Sequence, residues 1–241
     1  MKKKLSFRGL IPNIFTFFSL TLGITAIKFA IEFKWENAVA CVVFASFLDN
    51  LDGKIARLLK SNSNFGVELD SLSDFVSFGI SPAIVVYLWT LSENIQNSWA
   101  FVIFYSICSA SRLAKFNLAS LENEDKDLRF FKGVSTPAAA GLVLLPMMIS
   151  FRFENIIDFE PIFSAILIII TAILMITNIP TYSLKGMKLK KRELPFFLVI
   201  FASIVSLLIS DFWLAMILII TLYYASLPFA IINFKKTNSH F

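Results

Sequence analysis

Cysteine and histidine are nearly missing from this chain of 241 residues, which contains two cysteines and one histidine. Cys41 and Cys108 lie in apolar stretches without a partner at Cys-x-x-Cys spacing, so we interpret both as helix-packing residues. The histidine, His240, is the penultimate residue. These scarcities argue against a redox pair, a thiolate metal centre, a histidine-ligated zinc and any mechanism that needs a histidine.

Charged residues are scarce as well. They make up 16% of the chain, whereas about 25% is usual in soluble domains, and 57% of the residues are hydrophobic. The two longest polar stretches, 119–133 and 182–194, are shorter than the roughly 50 residues that a folded domain needs. With a mean hydropathy of +0.74, the composition indicates an integral membrane protein whose chemistry takes place inside a helix bundle or at its surface.

Eight apolar stretches are long enough to cross about 30 Å of hydrocarbon, which takes roughly 20 helical residues. We place them at residues 10–33, 37–58, 66–91, 97–118, 136–153, 159–181, 194–210 and 212–234. All of the 22 Lys and Arg residues except Lys28, Lys34 and Arg152 lie in or near the termini and alternate connections, as expected for cytoplasmic segments. The predicted fold is an all-α, polytopic membrane helix bundle of about eight transmembrane helices with both termini in the cytoplasm.

Four carboxylates interrupt the second and third of these stretches, at Asp49, Asp52, Asp70 and Asp74. An ionised Asp inside a transmembrane helix costs about 2.5–3.5 kcal/mol on insertion scales, which makes such residues functional candidates. The first two share a helix face with the small residues Gly53 and Ala56, and the last two also share a face. Because the connection at 58–65 is short enough for an antiparallel hairpin, we expect the four carboxylates to converge on one pocket with room for a ligand.

Oxygen ligands without histidine or cysteine are typical of hard divalent cations, so this cluster predicts Mg²⁺ or Mn²⁺. Two such ions about 3.5–4 Å apart are the usual apparatus for displacing a phosphate ester. Lys54 and Arg57 would offset part of the negative charge. The alternatives are helix-end charges at the membrane interface, or the ion site of a cation transporter. The transporter is disfavoured because such sites tend to lie between repeated halves, and nothing in 120–241 repeats the pattern of 49–74.

These carboxylates belong to a longer motif with fixed spacing. It reads Asp49-Asn-Leu-Asp52-Gly53-Lys-Ile-Ala56-Arg57, then eight residues, Gly66, three residues, Asp70, three residues and Asp74. The motif resembles the signature of the CDP-alcohol phosphatidyltransferases. The resemblance implies a homodimer and a catalytic core of six helices, which we place at residues 1–181. A basic loop and two additional transmembrane helices would follow at 182–241.

In that family a CDP-activated lipid loses CMP as an alcohol attacks the lipid-side phosphorus, with two metal ions on the diphosphate. Carried over by position, the resemblance implies that Asp49 and Asp70 bridge both ions and that Asp52 ligates the first. Asp74 would ligate the second ion and take the proton from the attacking hydroxyl. The resemblance also assigns binding of the CDP-lipid to Pro12, Asn13, Gly53, Ala56, Arg57, Ser63 and Gly66.

Three further segments, at 73–83, 112–117 and 131–140, resemble the phosphatidylserine synthases of this family. The departures are mild, at Lys115 and Ser135, where Arg and Pro are more usual. The resemblance implies CDP-diacylglycerol and L-serine as substrates and CMP as a product. A serine carboxylate needs cationic and hydrogen-bonding partners, for which the candidates are Arg112, Lys115, Asn117 and Lys132.

Sister activities on the same scaffold remain open: an acceptor such as glycerol 3-phosphate (the phosphatidylglycerophosphate synthases), inositol phosphate or choline, or an archaeal-type lipid donor. A phospholipase-D-like route to phosphatidylserine is disfavoured, since it needs a covalent phosphohistidine and paired histidine motifs. We expect the protein in the inner (cytoplasmic) membrane, surrounded by membrane lipids, with its site facing the cytoplasm and with no nucleic-acid partner.

Overall fold

The computed structural model describes residues 7–59, 63–121, 130–153, 159–182 and 194–238. Within them the chain forms eight helical segments: α1 (Phe7–Ile31), α2 (Trp35–Leu58), α3 (Asn64–Asn94), α4 (Trp99–Leu121), α5 (Thr136–Arg152), α6 (Pro161–Ile176), α7 (Leu194–Ser210) and α8 (Phe212–Asn238). One ribbon joins β1 (Phe130–Lys132) to β2 (Pro180–Tyr182). The predicted all-α membrane bundle is confirmed. The predicted basic loop and His240 lie outside the described residues.

Several helices are apolar enough for a bilayer. Three are long and apolar enough by themselves to cross a membrane: Leu10–Ile31, Asn64–Asn94 and Phe212–Ile232. Three shorter helices are also apolar, namely Thr136–Arg152, Pro161–Ile176 and Pro195–Ser210. Large apolar side chains such as Phe18, Ile24 and Leu222 are exposed on the outside of the bundle, which suits contact with lipid rather than water.

The sixth predicted stretch, 159–181, is wrong at its end, because α6 stops at Ile176. Thr177 already has extended backbone dihedrals, and Pro180 follows closely. Proline has no N–H to donate and disfavours helical dihedrals in the residue before it. Residues 180–182 instead pair antiparallel with 130–132, so that Phe131 lies opposite Thr181.

Gly133 turns the chain from this ribbon into α5. Its φ of +79° lies in the left-handed region, and its N–H donates to the carbonyl oxygen of Ile179 at 2.8 Å. A Cβ at this position would lie 2.9 Å from the carbonyl oxygen of Thr177. Both the dihedral and the close approach therefore require glycine.

A ladder of serine hydroxyls joins α3 to α1. Ser73, Ser77 and Ser81 donate in turn to the carbonyl oxygens of Thr16, Ser19 and Gly23, the first two at 3.1 Å. Gly23 allows this approach, since a Cβ there would lie 2.6 Å from the Cα of Ser77. Small residues and interhelical hydrogen bonds are typical of packing inside membranes, where burial of apolar surface does not drive helices together.

The middle of α3 is π-helical at Phe75–Ile80 and again at Tyr87–Leu91. In the first of these segments the carbonyl oxygens of Phe78 and Gly79 accept hydrogen bonds from the hydroxyls of Tyr105 and Ser106 on α4, at 3.1 and 3.0 Å. These bonds satisfy backbone groups that would be costly to leave unpaired at membrane depth. They also fix α4 against α3 beside the carboxylate-bearing turn.

The last helix, α8, packs against α5, β2 and α7. An ion pair joins Arg152 at the end of α5 to Asp211, and Asp211 also caps α8 by accepting the N–H of Leu214 at 3.1 Å. Farther along α8, the hydroxyl of Tyr224 donates to the carbonyl oxygen of Ala138 at 3.1 Å. α8 is thus attached near both ends of α5.

Candidate active site

The carboxylates meet where the second half of α2 passes the first half of α3. One oxygen each from Asp49, Asp70 and Asp74 lies within 4.8 Å of the other two. Asp70 and Asp74 are one turn apart on α3, and the short hairpin brings Asp49 of α2 alongside them. At 1.5 Å per residue, Asp74 lies about 15 Å along the helix from Asn64. The cluster is therefore recessed within the bundle.

Asp52, the fourth predicted ligand, lies one turn beyond Asp49 and outside this tight group. Its side chain is buried, with a relative exposure of 5%, and its Oδ2 accepts a hydrogen bond from Thr16 Oγ1 at 2.7 Å. Thr16 belongs to α1, so three helices position the four carboxylates. The structure brings three of the predicted ligands together and holds the fourth beside them.

Asp74 retains a free oxygen. Its Oδ2 accepts a hydrogen bond from Thr136 Oγ1, on the first turn of α5, at 3.3 Å. Its Oδ1 is buried and has no hydrogen-bond partner among the described residues. A buried oxygen without a partner is costly, and three carboxylates at this distance repel one another. A divalent cation bound by these oxygens would remove both costs, so the donor set fits Mg²⁺ or Mn²⁺.

Some of the residues predicted to bind the CDP-lipid lie on α2 next to the cluster. Gly53 faces open space, with no atom within 4 Å of the position that a Cβ would take. Arg57 is exposed, and its Nε donates to the carbonyl oxygen of Gly53 at 2.9 Å. Ala56 is half-buried. This part of α2 therefore has room for a ligand close to its backbone.

The other predicted CDP-lipid residues meet near the start of α3. Ser63 caps this helix, since its Oγ accepts the N–H of Gly66 at 3.0 Å. Asn13 of α1 is next to them, with its Oδ1 3.1 Å from the position of a Cβ on Gly66. Pro12 is buried, and its carbonyl oxygen lies 3.2 Å from Thr16 Oγ1, which donates to Asp52. Asn13 therefore lies beside the start of α3.

Two of the residues predicted to bind serine lie against the same hairpin. Arg112 is half-buried on α4, between Ser109, which approaches Gly79, and Asn117, which bonds to Ser71, so it lies at the level of Asp74. Its Nε is buried without a hydrogen-bond partner among the described residues. Asn117, farther along α4, donates from its Nδ2 to Ser71 Oγ at 3.0 Å. Arg112 thus places an incompletely paired cation beside the carboxylate cluster.

Of the other two predicted serine-binding residues, Lys115 is exposed on α4. Lys132 lies in β1 opposite Pro180, and its side chain is outside the described part of the chain.

Sequence reasoning missed Thr16 and Thr136, whose hydroxyls bond to Asp52 and Asp74. Thr16 had a weak signal, because it lies one turn after the Pro12-Asn13 pair. Thr136 lies within residues 131–140, one of the segments that resemble the phosphatidylserine synthases.

Comparison with known proteins agrees with this geometry. A family model described as CDP-alcohol phosphatidyltransferase matches residues 9–182, which include all four carboxylates. Relatives named CDP-diacylglycerol–serine O-phosphatidyltransferase include one from Mycobacterium leprae, 32% identical over 234 residues that cover 96% of this chain and 77% of the relative. Another, from Helicobacter pylori, is 33% identical over 180 residues that cover 74% of each chain.

Members of the matched family generally depend on divalent metal ions, in agreement with the oxygen donors of the cluster. The match and the apolar helices together make this a multi-pass membrane protein. The chain belongs to the CDP-alcohol phosphatidyltransferase family.

Proposed function

We propose that the protein transfers the phosphatidyl group of CDP-diacylglycerol to the hydroxyl of L-serine, giving phosphatidylserine and CMP. Relatives named for this activity match most of the chain. The observation that carries the proposal is that Arg112, whose Nε has no partner among the described residues, lies on α4 at the level of the carboxylate cluster. The cluster suits the metal-bound diphosphate of one substrate, and Arg112 suits the carboxylate of the other.

Two divalent cations, Mg²⁺ or Mn²⁺, complete the proposed site. Asp49 and Asp70 would bridge both ions, Asp52 would ligate the first and Asp74 the second. When bound, such ions stabilise negative charge on the diphosphate and on the departing CMP. Two observations support this arrangement. The hydrogen bond from Thr16 orients the Asp52 carboxylate, and Asp74 Oδ1 has no hydrogen-bond partner among the described residues and is available to bind an ion.

In our proposal the CDP-lipid lies along the face of α2 that carries Gly53, Ala56 and Arg57. The open space beside Gly53 accommodates the nucleotide against the helix backbone, and Arg57 supplies a cation for a phosphate group. Asn13 and Ser63, together with their neighbours Pro12 and Gly66, would close the site from the other side. Their mutual proximity supports this role.

In the proposed reaction the serine hydroxyl oxygen attacks the lipid-side phosphorus, and the bond from that phosphorus to the CMP oxygen breaks. Asp74 takes the hydroxyl proton on its carboxylate. Thr136 supports this role because its hydrogen bond to Oδ2 fixes the orientation of that carboxylate. A weakly basic carboxylate is sufficient, since proton transfer needs only to accompany the attack.

Arg112 would pair with the serine carboxylate. Its half-buried position and unpartnered Nε favour it over an ordinary surface cation. We propose Lys115, Asn117 and Lys132 as further contributors to serine binding. Asn117 is supported by its bond to Ser71, next to Asp70.

We also propose that the site faces the cytoplasm from the inner membrane, with both termini on the cytoplasmic side. The distribution of Lys and Arg supports this orientation. A homodimer is proposed from the family resemblance. The division into a core at 1–181 and an extension at 182–241 is supported by the family match, which ends at residue 182.

The activity is tested with purified protein in detergent, CDP-diacylglycerol, Mg²⁺ or Mn²⁺, and one labelled acceptor at a time. We expect CMP release that depends on serine, and much less release with glycerol 3-phosphate or inositol phosphate. Asp70→Asn should abolish release, whereas Glu68→Gln, which neutralises an exposed carboxylate on the same helix, should not. A protein that releases CMP with glycerol 3-phosphate but not with serine would contradict the proposal.

The roles within the cluster are tested by two matched substitutions. Asp74→Asn should lose turnover while keeping more of its affinity for the metal and the CDP-lipid than Asp49→Asn, because only Asp49 is proposed to bridge both ions. Binding is measured by calorimetry and turnover by CMP release. Wild-type turnover in either variant would refute the assignment.

A further inference from the structure

A short link, residues 133–135, joins the ribbon to α5. Its first residue, Gly133, makes two hydrogen bonds to the segment that contains β2. The N–H of Gly133 donates to the carbonyl oxygen of Ile179 at 2.8 Å, and the carbonyl oxygen of Gly133 accepts from Thr181 Oγ1 at 3.3 Å. The side chain of Thr181 is buried. Gly133 is therefore bound through both of its backbone polar groups.

The second residue of the link is bound as well. Val134 is fully buried, and its N–H donates to the carbonyl oxygen of Leu174, near the end of α6, at 3.4 Å. Two consecutive residues are thus held by three hydrogen bonds to the end of α6 and to the segment around β2. The link cannot shift without breaking hydrogen bonds between buried groups, which is costly.

The residue that follows the link reaches the carboxylate cluster. Thr136 is the first residue of α5 and is buried, and its Oγ1 donates to Asp74 Oδ2 at 3.3 Å. A threonine hydroxyl has one proton to donate, and here Asp74 accepts it. The direction of the Asp74 carboxylate consequently depends on where α5 begins, and the link determines where α5 begins.

Stability alone does not account for the ribbon. Its strands have three residues each, and even a complete two-stranded hairpin is marginally stable by itself. The pairing does, however, set a defined register between the chain before α5 and the chain after α6, with Phe131 opposite Thr181. A carboxylate that takes a proton during an attack must be held in a narrow range of directions. These observations favour a positional role for the ribbon.

We propose that the ribbon positions the catalytic carboxylate: Thr181 fixes Gly133 at the start of the link, and Thr136 passes this placement on to Asp74. Thr136 and Thr181 are then positioning residues for proton transfer from the acceptor. The inference rests on the proposed function, which assigns the proton to Asp74. It extends the supports of the site to β2, at the end of the region that the family model matches.

Three valine substitutions provide a matched set, because each removes one buried threonine hydroxyl and keeps the branched shape of the side chain. Thr136→Val removes the bond to Asp74, and Thr181→Val removes the bond to Gly133. Thr171→Val is the control, since the hydroxyl of this buried residue donates within its own helix, α6, at 2.6 Å. A fourth variant, Thr136→Ser, keeps the hydroxyl at the position next to Asp74.

CMP release is measured at saturating metal ion with each substrate varied in turn, and kcat is referred to the folded fraction from thermal unfolding in detergent. Thr136→Val should lower kcat about tenfold or more, as for one lost hydrogen bond to a charged group. Thr181→Val should lower kcat by about two- to tenfold, as for a neutral hydrogen bond. Both should leave the two KM values within about twofold of wild type, because the loss is confined to the transition state. Thr136→Ser should restore most of kcat, and Thr171→Val should match wild type.

Calorimetry supplies a readout that does not depend on turnover. Binding of CDP-diacylglycerol with Mg²⁺ and without serine should be the same in wild type, Thr136→Val and Thr181→Val. Weakened binding that accounts for the whole loss of activity would contradict a role in proton transfer.

The double variant Thr136→Val/Thr181→Val distinguishes positioning from a general effect on the fold. If Thr181 acts through Thr136, its hydroxyl should have no further effect on kcat once the Thr136 hydroxyl is gone, whereas independent effects multiply. Multiplied losses would overturn the proposal. So would a wild-type kcat in either single variant, an equal loss in Thr171→Val, or no recovery in Thr136→Ser.

The same cycle separates this inference from the proposed function. If wild type releases CMP with another acceptor and not with serine, the proposed function fails. The cycle is then measured with that acceptor, because any attacking hydroxyl must lose its proton, and its result decides the positioning role alone.

Discussion

Substitution of Gly53 by alanine separates folding from substrate binding at this site. The added methyl group meets no atom within 4 Å, so it creates no steric conflict within the protein. In a helix interior the exchange of glycine for alanine is favourable by about 0.8–1.0 kcal/mol. We therefore expect Gly53→Ala to unfold at the same temperature as wild type or at a higher one.

The same methyl group enters the space that we assign to the nucleotide. Forcing an extra methyl group into a packed contact typically costs about 1–3 kcal/mol, which corresponds to a fall in kcat/KM for CDP-diacylglycerol of roughly 5- to 150-fold. The loss should be specific to the lipid donor and leave the KM for serine unchanged.

Gly23→Ala is the contrasting variant. A Cβ at Gly23 would lie 2.6 Å from the Cα of Ser77, and a backbone atom cannot move aside without shifting the helix. The shift would also disturb the serine ladder, including the bond from Ser81 to the Gly23 carbonyl. This variant should therefore unfold at a clearly lower temperature, by an amount equivalent to at least about 1–3 kcal/mol.

Both variants are measured by thermal unfolding in detergent and by CMP release at varied CDP-diacylglycerol. The reasoning predicts opposite results: Gly53→Ala is stable and impaired, whereas Gly23→Ala is unstable. A stable Gly53→Ala protein with the wild-type kcat/KM for CDP-diacylglycerol would show that no substrate occupies the open space. A destabilised Gly53→Ala would show that the space is filled by the protein itself.

Three further perturbations test the supports of the site. Thr16→Val removes the hydroxyl bonded to Asp52 and should raise the metal concentration for half-maximal activity about tenfold or more; an unchanged metal dependence would contradict the role of Thr16. Asp211→Ala removes both the ion pair with Arg152 and the cap of α8, and should lower stability by about 0.5–2 kcal/mol, with a smaller loss for Asp211→Asn, in thermal unfolding; equal losses would show that the cap is unimportant. Chelation should abolish CMP release, and Mg²⁺ or Mn²⁺ should restore it; activity that survives complete chelation would refute the metal assignment.

The helices could be predicted because bilayer thickness fixes how long an apolar stretch must be. Hydropathy alone does not locate a helix end. For this reason the predicted stretch 159–181 runs past the end of α6 at Ile176, although Pro180 argues against helix there. The ribbon of β1 and β2 could not be predicted, because each strand is only three residues long and the two are far apart in the chain.

The carboxylate cluster was accessible to sequence reasoning because helical spacing relates Asp70 to Asp74 and the hairpin relates both to Asp49. The hydroxyls that support it were not. Thr16 reaches Asp52 from α1, and Thr136 reaches Asp74 from α5. Such contacts depend on helix rotation and interhelical distance, which spacing within one helix does not determine.

The π-helical segment that follows Asp74 explains how α3 makes hydrogen bonds to both α1 and α4. In a regular α-helix residues four apart advance by about 40° around the axis, because each residue turns about 100°. The wider i→i+5 turns of the segment Phe75–Ile80 reduce this rotation around the helix axis. Ser73, Ser77 and Ser81 therefore stay on the face of α3 that packs against α1. The same segment presents the carbonyl oxygens of Phe78 and Gly79 to α4. Because α4 carries Arg112, the bonds to α1 and α4 together determine how far this arginine, which we propose to bind the acceptor, stands from Asp74.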